Sequence, residues 1–199
     1  MAAEKKKTSE KKNDKKPVKK AVAKPAGKKS KRLEEVGSSH MLISVPKGGQ
    51  VIRFFELTPS LPVGGCAADW ILDEVGGTGQ KDISGITVGF PENPSAIERD
   101  FERAILVINL KQGTSGPAGT WRFAMGGVAT DQADSDPNND IAIDIIDNGL
   151  TMLVHVHVLN NSVENIRFGY VASFTYADSG VVEVYESQDP GFVPIRPIG

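Results

Sequence analysis

Beyond Met41 the chain alternates apolar and polar positions with a period of two. In Asn165–Tyr176, Ile166, Phe168, Tyr170, Ala172, Phe174 and Tyr176 share one face, and Arg167, Gly169, Val171, Ser173 and Thr175 the other. In Leu150–Leu159, Met152, Val154, Val156 and Val158 oppose Thr151, His155 and His157. A strand sends successive side chains to opposite faces, so this pattern predicts β-strands with one buried face. Similar runs predict strands at Leu42–Val45, Gln50–Leu57, Ile83–Phe90, Ala104–Leu110, Thr120–Met125, Ile141–Ile146 and Val181–Glu186. Asp69–Val75 reads equally as strand or loop. Asp147-Asn148-Gly149 and Ala177-Asp178-Ser179-Gly180 are turn-forming stretches between such runs, so the last four strands read as consecutive antiparallel hairpins.

Helical spacing occurs once. Ser95-Ala96-Ile97-Glu98 has the form of a capping box, and Ile97, Phe101 and Ile105 recur every four residues, which predicts a short helix over Ala96–Arg103. Without helices to carry crossovers, a parallel α/β fold is not expected. The predicted fold is all-β: an antiparallel two-layer β-sandwich, immunoglobulin-like or jelly-roll, with one short helix and a disordered basic N-terminal arm over residues 1–40. The sandwich domain spans residues 41–199.

Charge makes the division sharper. The net charge of −2 is the sum of +9 in residues 1–36 (14 Lys/Arg, 5 Asp/Glu) and −11 in the remaining 163 (9 Lys/Arg, 20 Asp/Glu). Apart from Met1, residues 1–36 hold only Leu33 and three valines as larger apolar side chains, too few to offset the entropy of ordering. Lysine doublets, Lys11-Lys12, Lys15-Lys16, Lys19-Lys20 and Lys28-Lys29, stand among Ala, Pro and Ser. In composition this arm resembles the Lys/Ala/Pro tails of linker histones and of some bacterial histone-like proteins. The resemblance implies contact with nucleic acid or another polyanion by counterion release, without reading of sequence. A solvated spacer is the alternative. Gly37-Ser38-Ser39-His40-Met41 also resembles a cloning scar, which would leave Met41 as the first residue of the body.

Composition excludes several classes. Cys66 is the single cysteine, so neither an internal disulfide nor a multi-cysteine zinc site is available. No run of about 18 apolar residues is present, so no membrane span is expected, and no secretory signal pattern opens the chain. The expected location is the cytoplasm.

Two constellations carry candidate chemistry. Asp134, Asp136, Asn138 and Asp140 stand at alternate positions, as in the first half of a calcium loop, but Asn139 and Ile145 occupy the positions where that loop needs Gly and a bidentate Glu. A plain Asp/Asn-rich turn is the preferred reading. His155 and His157 lie two apart on one strand, so both rings can reach one ion such as zinc, although no third ligand stands nearby in the chain. No cofactor is expected, with calcium on the loop and zinc on the pair as the alternatives. Gly76-Gly77-Thr78-Gly79 resembles a phosphate loop without its Gly-Lys-Ser/Thr ending. Gly-x-Ser-x-Gly is absent. Trp70, Trp121, Tyr170, Tyr176 and Tyr185 offer sugar platforms if exposed, and core packing if not.

The function expected from these residues is non-enzymatic: binding or assembly through protein–protein contacts of the sandwich, self-association included, with the arm on a polyanion or acidic partner. The alternatives are a jelly-roll shell or coat subunit, a metal-dependent enzyme using His155 and His157, and a carbohydrate-binding module.

Overall fold

The fold is that of a computed structural model, which describes residues 40–62, 70–113, 116–129, 136, 138–161, 166–188 and 191–197. These residues all belong to one contact unit, Gly37–Gly199. The strands are β1 (His40–Ser44), β2 (Gln50–Thr58), β3 (Ile71–Glu74), β4 (Gly85–Gly89), β5 (Arg103–Leu110), β6 (Gly119–Ala129), β7 (Ile141–Ile146), β8 (Thr151–Val156), β9 (Ile166–Arg167), β10 (Gly169–Tyr176), β11 (Val182–Glu186) and β12 (Gly191–Ile195). They form sheets ordered β3-β2-β5-β8-β7, β1-β4-β12-β9 and β11-β10-β6. The latter two run into one another at Phe168, the single residue between β9 and β10. All three contribute to one hydrophobic core, in which Ile43, Phe55, Leu57, Val88, Trp121 and Phe192 are buried. Among the described residues no helix is long and apolar enough to cross a membrane.

The all-β sandwich is the expected one, but two of its three sheets are mixed, and β11-β10-β6 is antiparallel throughout. β1/β4, β4/β12 and β2/β5 pair in parallel. Parallel neighbours need a long crossover, and here it is made mainly of strands, with one short helix among them. The chain leaves β2, passes through β3, β4 and the helix, and returns as β5. The expectation that the last four predicted strands form consecutive hairpins also changes. β7/β8 and β10/β11 are antiparallel hairpins joined at the predicted turns. They lie in different sheets, because Asn165–Tyr176 is not one strand: Ile166–Arg167 pairs with β12, and Gly169–Tyr176 pairs with β6 and β11.

The helix, α1 (Ala96–Phe101), carries the predicted capping box: the Glu98 N–H donates to Ser95 Oγ at 3.2 Å, and the Ser95 N–H to Glu98 Oε2 at 2.7 Å. It stops short of Arg103 and buries no residue; Ile97 and Phe101 are exposed.

Two buried carboxylates hold the loops. Glu74 accepts from the Thr78 N–H (2.8 Å), the Thr78 hydroxyl (2.5 Å) and the Gly79 N–H (3.0 Å), with Arg53 at 3.3 Å. The stretch that resembles a phosphate loop is thus wrapped around the protein's own carboxylate. Gly77, at φ +55, has no room for a Cβ because the Glu74 carboxylate occupies that space. Glu102 forms the second centre. Arg196 Nη1 donates to Glu102 Oε2 at 2.6 Å with both side chains fully buried. The Gly48 N–H donates to Glu102 Oε1 at 3.0 Å, which fixes the Lys47–Gln50 turn. Arg196 also donates to the carbonyls of Val158 (3.0 Å) and Pro91 (3.1 Å), and its guanidinium carbon lies 5.0 Å from the centre of the Phe90 ring.

Removing one member strands the other charge in the interior. Glu102→Leu should cost about 3–5 kcal/mol in urea unfolding, and adding Arg196→Met should recover most of it. A single-variant cost below about 1 kcal/mol would show that the pair does not organise the loops.

Burial raises the Glu74 pKa, but the Thr78 hydroxyl and N–H, the Arg53 charge and the Gly79 N–H outweigh it and hold the carboxyl below its ordinary 4.5. Its contribution is therefore complete above that value and is lost as pH falls through the lower folded value. Glu74→Gln should lose about 1–3 kcal/mol at neutral pH and flatten the acid limb of the stability curve below pH 4.5. An unchanged acid limb in chemical denaturation would refute this assignment.

Candidate functional site

The outward face of the five-stranded sheet has no layer over it among the described residues. Period and register decide what it displays. Ile52, Ile105, His155 and Ala142 form one cross-strand row, and Phe54, Val107, Leu153 and Asp144 the next. Ile52 and Phe54 are half exposed, so the middle of the face is an apolar strip. At the end of the strip lies a pocket of about 360 Å³, lined by Arg103, Asn139, Asp140, Ala142, Asp144, His155, Val156 and His157.

The pocket unites the histidine pair with the end of the acidic loop. His155 Nε2 stands 3.5 Å from Asp144 Oδ2, both accessible to solvent. His157 Nε2 lies 3.2 Å from the Arg99 carbonyl oxygen. That oxygen can only accept, so Nε2 carries the proton and donates it to this bond. One of the two rings is thereby committed to α1. Among the described residues no group of three or more His, Cys, Asp or Glu is arranged to hold a metal ion. Arg103 brings a guanidinium to the rim.

Asp140 sits beneath the pocket. It is 2% exposed, and its Oδ2 has no hydrogen-bond partner among the described residues. Burial and the neighbouring Asp136 carboxylate push its pKa up, against the pull of His157, Arg196 and the Leu159 N–H. Asp136 accepts from the N–H groups of Asp140 (2.8 Å) and Ile141 (3.0 Å) and so caps the entry into β7. Asp136 uses its carboxylate on the backbone, as an Asx-type turn does. Asn138 lies in the same turn.

The remaining candidates fall elsewhere. Asp134, Cys66 and all eight lysines of the doublets lie outside the described residues. The aromatic rings pack together: Trp121 stands 5.6 Å from Trp70, 4.8 Å from Phe174 and 5.7 Å from Tyr185, centre to centre. Trp121 and Tyr170 are buried, and Trp70, Tyr176 and Tyr185 are half buried, so they edge the core instead of forming an open platform. The sequence pattern does not single out Arg103, although the alternation of β5 places it on the same face as Ile105 and beside His157. It holds no signal for Glu102 and Arg196, which stand 94 residues apart in the chain.

No curated protein matches the chain. The DP-EP family description matches residues 39–196. This span opens beside His40 at the start of β1 and closes on Arg196, the residue that completes the buried ion pair, so it coincides with the folded domain. The chain belongs to the DP-EP family.

Proposed function

We propose that the DP-EP domain is a non-enzymatic binding domain that docks a polypeptide segment of a partner protein on the open face of its five-stranded sheet. The observation that carries this reading is the junction of an apolar strip with a polar pocket on one face. Ile52, Phe54, Val107 and Leu153 suit apolar side chains, Arg103 suits a backbone or carboxylate oxygen, and Asp144 suits an N–H donor. A strip of exposed apolar residues rimmed by polar groups is the usual anatomy of a docking surface. Two observations weigh against catalysis: no nucleophile motif is present, and the proton of His157 Nε2 is tied to a carbonyl. The lysine doublets of residues 11–29 add a second, sequence-independent contact to a polyanion.

A blocked apolar tetrapeptide, acetyl-Leu-Phe-Val-Gly-amide, serves as probe in an NMR titration of the full chain. The amides of Ile105, Leu153 and His155 should shift, and Phe54→Ser should abolish the shifts while changing stability by no more than about 0.5 kcal/mol. No shift at these amides, or stoichiometric zinc that moves the His155 and His157 resonances instead, would overturn the reading.

For the arm, alanine at Lys11, Lys12, Lys15, Lys16, Lys19, Lys20, Lys28 and Lys29 together should remove binding of duplex DNA at low salt. The log–log salt slope should fall by about 0.9 for each phosphate that the arm no longer neutralises. Equal binding by the substituted chain would place the polyanion contact elsewhere or remove it.

A further inference from the structure

The three-stranded sheet ends on β11, whose only strand partner among the described residues is β10. Four of its five residues are exposed, Val182 and Val184 among them at 58% and 51%. The hydrogen-bond parity of the hairpin decides which backbone groups are open. The Tyr176 N–H donates to the Val181 carbonyl at 2.9 Å, and the Ser187 N–H to the Tyr170 carbonyl at 2.9 Å. With the register Phe174↔Glu183 and Ala172↔Tyr185, Val181, Glu183, Tyr185 and Ser187 turn their N–H and C=O groups toward β10. Val182, Val184 and Glu186 turn theirs away from the sheet. An edge of this kind is a template for another strand unless it is covered, kinked or blocked by proline, and β11 contains neither proline nor glycine.

We infer that β11 is a self-association edge, at which two copies of this chain pair antiparallel about a two-fold axis through Val184. This goes beyond the docking face and is independent of it, since β11 lies in another sheet. Pairing centred on Val184 sets Val184 against its own copy and Val182 against Glu186 of the other. Every outward N–H and C=O of these three residues then meets its complement. The intervening pairs set Glu183 opposite Tyr185 in both directions. The Glu183 carboxylate already accepts from the hydroxyls of Tyr176, at 3.0 Å, and Tyr185 of its own chain, so it meets a hydroxyl and not a second carboxylate across the interface. Pairing centred on Glu183 or on Glu186 would oppose like charges directly, which destabilises a cross-strand pair. Charge thus disfavours these two registers and leaves the Val184 register with no like-charge pair. The outcome is an isologous contact that joins two three-stranded sheets into one.

The test exploits the direction of the Val184 N–H, which makes no bond to β10. Sedimentation equilibrium of the full chain should give a dimer. Val184→Pro should weaken association by about tenfold to a hundredfold, the worth of two ladder bonds, without altering the circular dichroism spectrum. Val184→Thr, which keeps the N–H and adds no charge opposite its own copy, reports whether any weakening comes from proline alone and should retain the dimer. The register is read by cysteine pairing in a Cys66→Ser background. The two-fold brings residue 184 against itself at a Cα separation of about 5.5 Å, within disulfide range, so Val184→Cys should oxidise to a covalent dimer and Val182→Cys should not. A wild-type chain that stays monomeric at high concentration, a Val184→Pro dimer of undiminished affinity, or equal crosslinking at both positions would each overturn the inference.

Discussion

A guanidinium and a carboxylate taken wholly out of water make the most demanding contact in this domain. Burial costs each ion several kcal/mol, and the pair tolerates it only if the remaining donors and acceptors are also matched. Arg196 and Glu102 meet that condition in part, through backbone: the carbonyls of Val158 and Pro91 on one side and the Gly48 N–H on the other, while Arg196 Nη2 finds no hydrogen-bond partner among the described residues. These groups come from the β1–β2 turn, the loop after β4, the end of β8 and the segment after β12. None of these loops can shift without unpairing a buried charge, so the pair locks four distant segments into one arrangement. The coincidence of Arg196 with the end of the family match agrees with that role.

The open face of the five-stranded sheet inherits its shape from this lock. Glu102 immediately precedes Arg103, and Val158 immediately follows His157, so the ion pair sets the position of both rim residues through the adjoining backbone. Asp140 lies near enough to Arg196 to feel its charge. The polar end of the face is therefore preorganised from below, while the apolar strip of Ile52, Phe54, Val107 and Leu153 is set by ladder register alone. Rigid support beneath an exposed polar group lowers the ordering cost of binding.

The period-two pattern makes most strands legible, along with the capping box and both hairpin turns, because each is written in neighbouring residues. What stays hidden depends on distant partners. Gly191–Ile195 does not read as a strand because Pro194 argues against one. The Phe90 N–H donates to the Ile195 carbonyl at 2.8 Å, so Ile195 faces β4 and Pro194 faces the side of β9. β9 pairs only with Gly191 and Phe192, and at Pro194 no N–H is required. The break at Phe168 is hidden for a related reason. Alternation continues unbroken from Ile166 to Tyr176 while the hydrogen-bond partners change from one sheet to another. The histidines and Asp140 are visible as candidates, yet their convergence needs β7 and β8 to pair, and Glu102 with Arg196 leaves no local trace at all.

The two surfaces of the domain answer to different physics. On the five-stranded sheet, side chains carry the information and the backbone is already paired, so recognition there depends on the fit of apolar and polar groups. On β11 the open groups belong to the backbone, which would accept almost any extended strand; selectivity must come from what faces what. Glu183 and Glu186 supply it, because they repel acidic strands and penalise the registers that oppose them to themselves. An acidic body repels its own copies at long range, but at physiological salt that repulsion is screened within about 8 Å, while backbone bonds form only on contact. In the proposed pairing of β11, charge therefore acts on the register, and the ladder bonds supply the attraction.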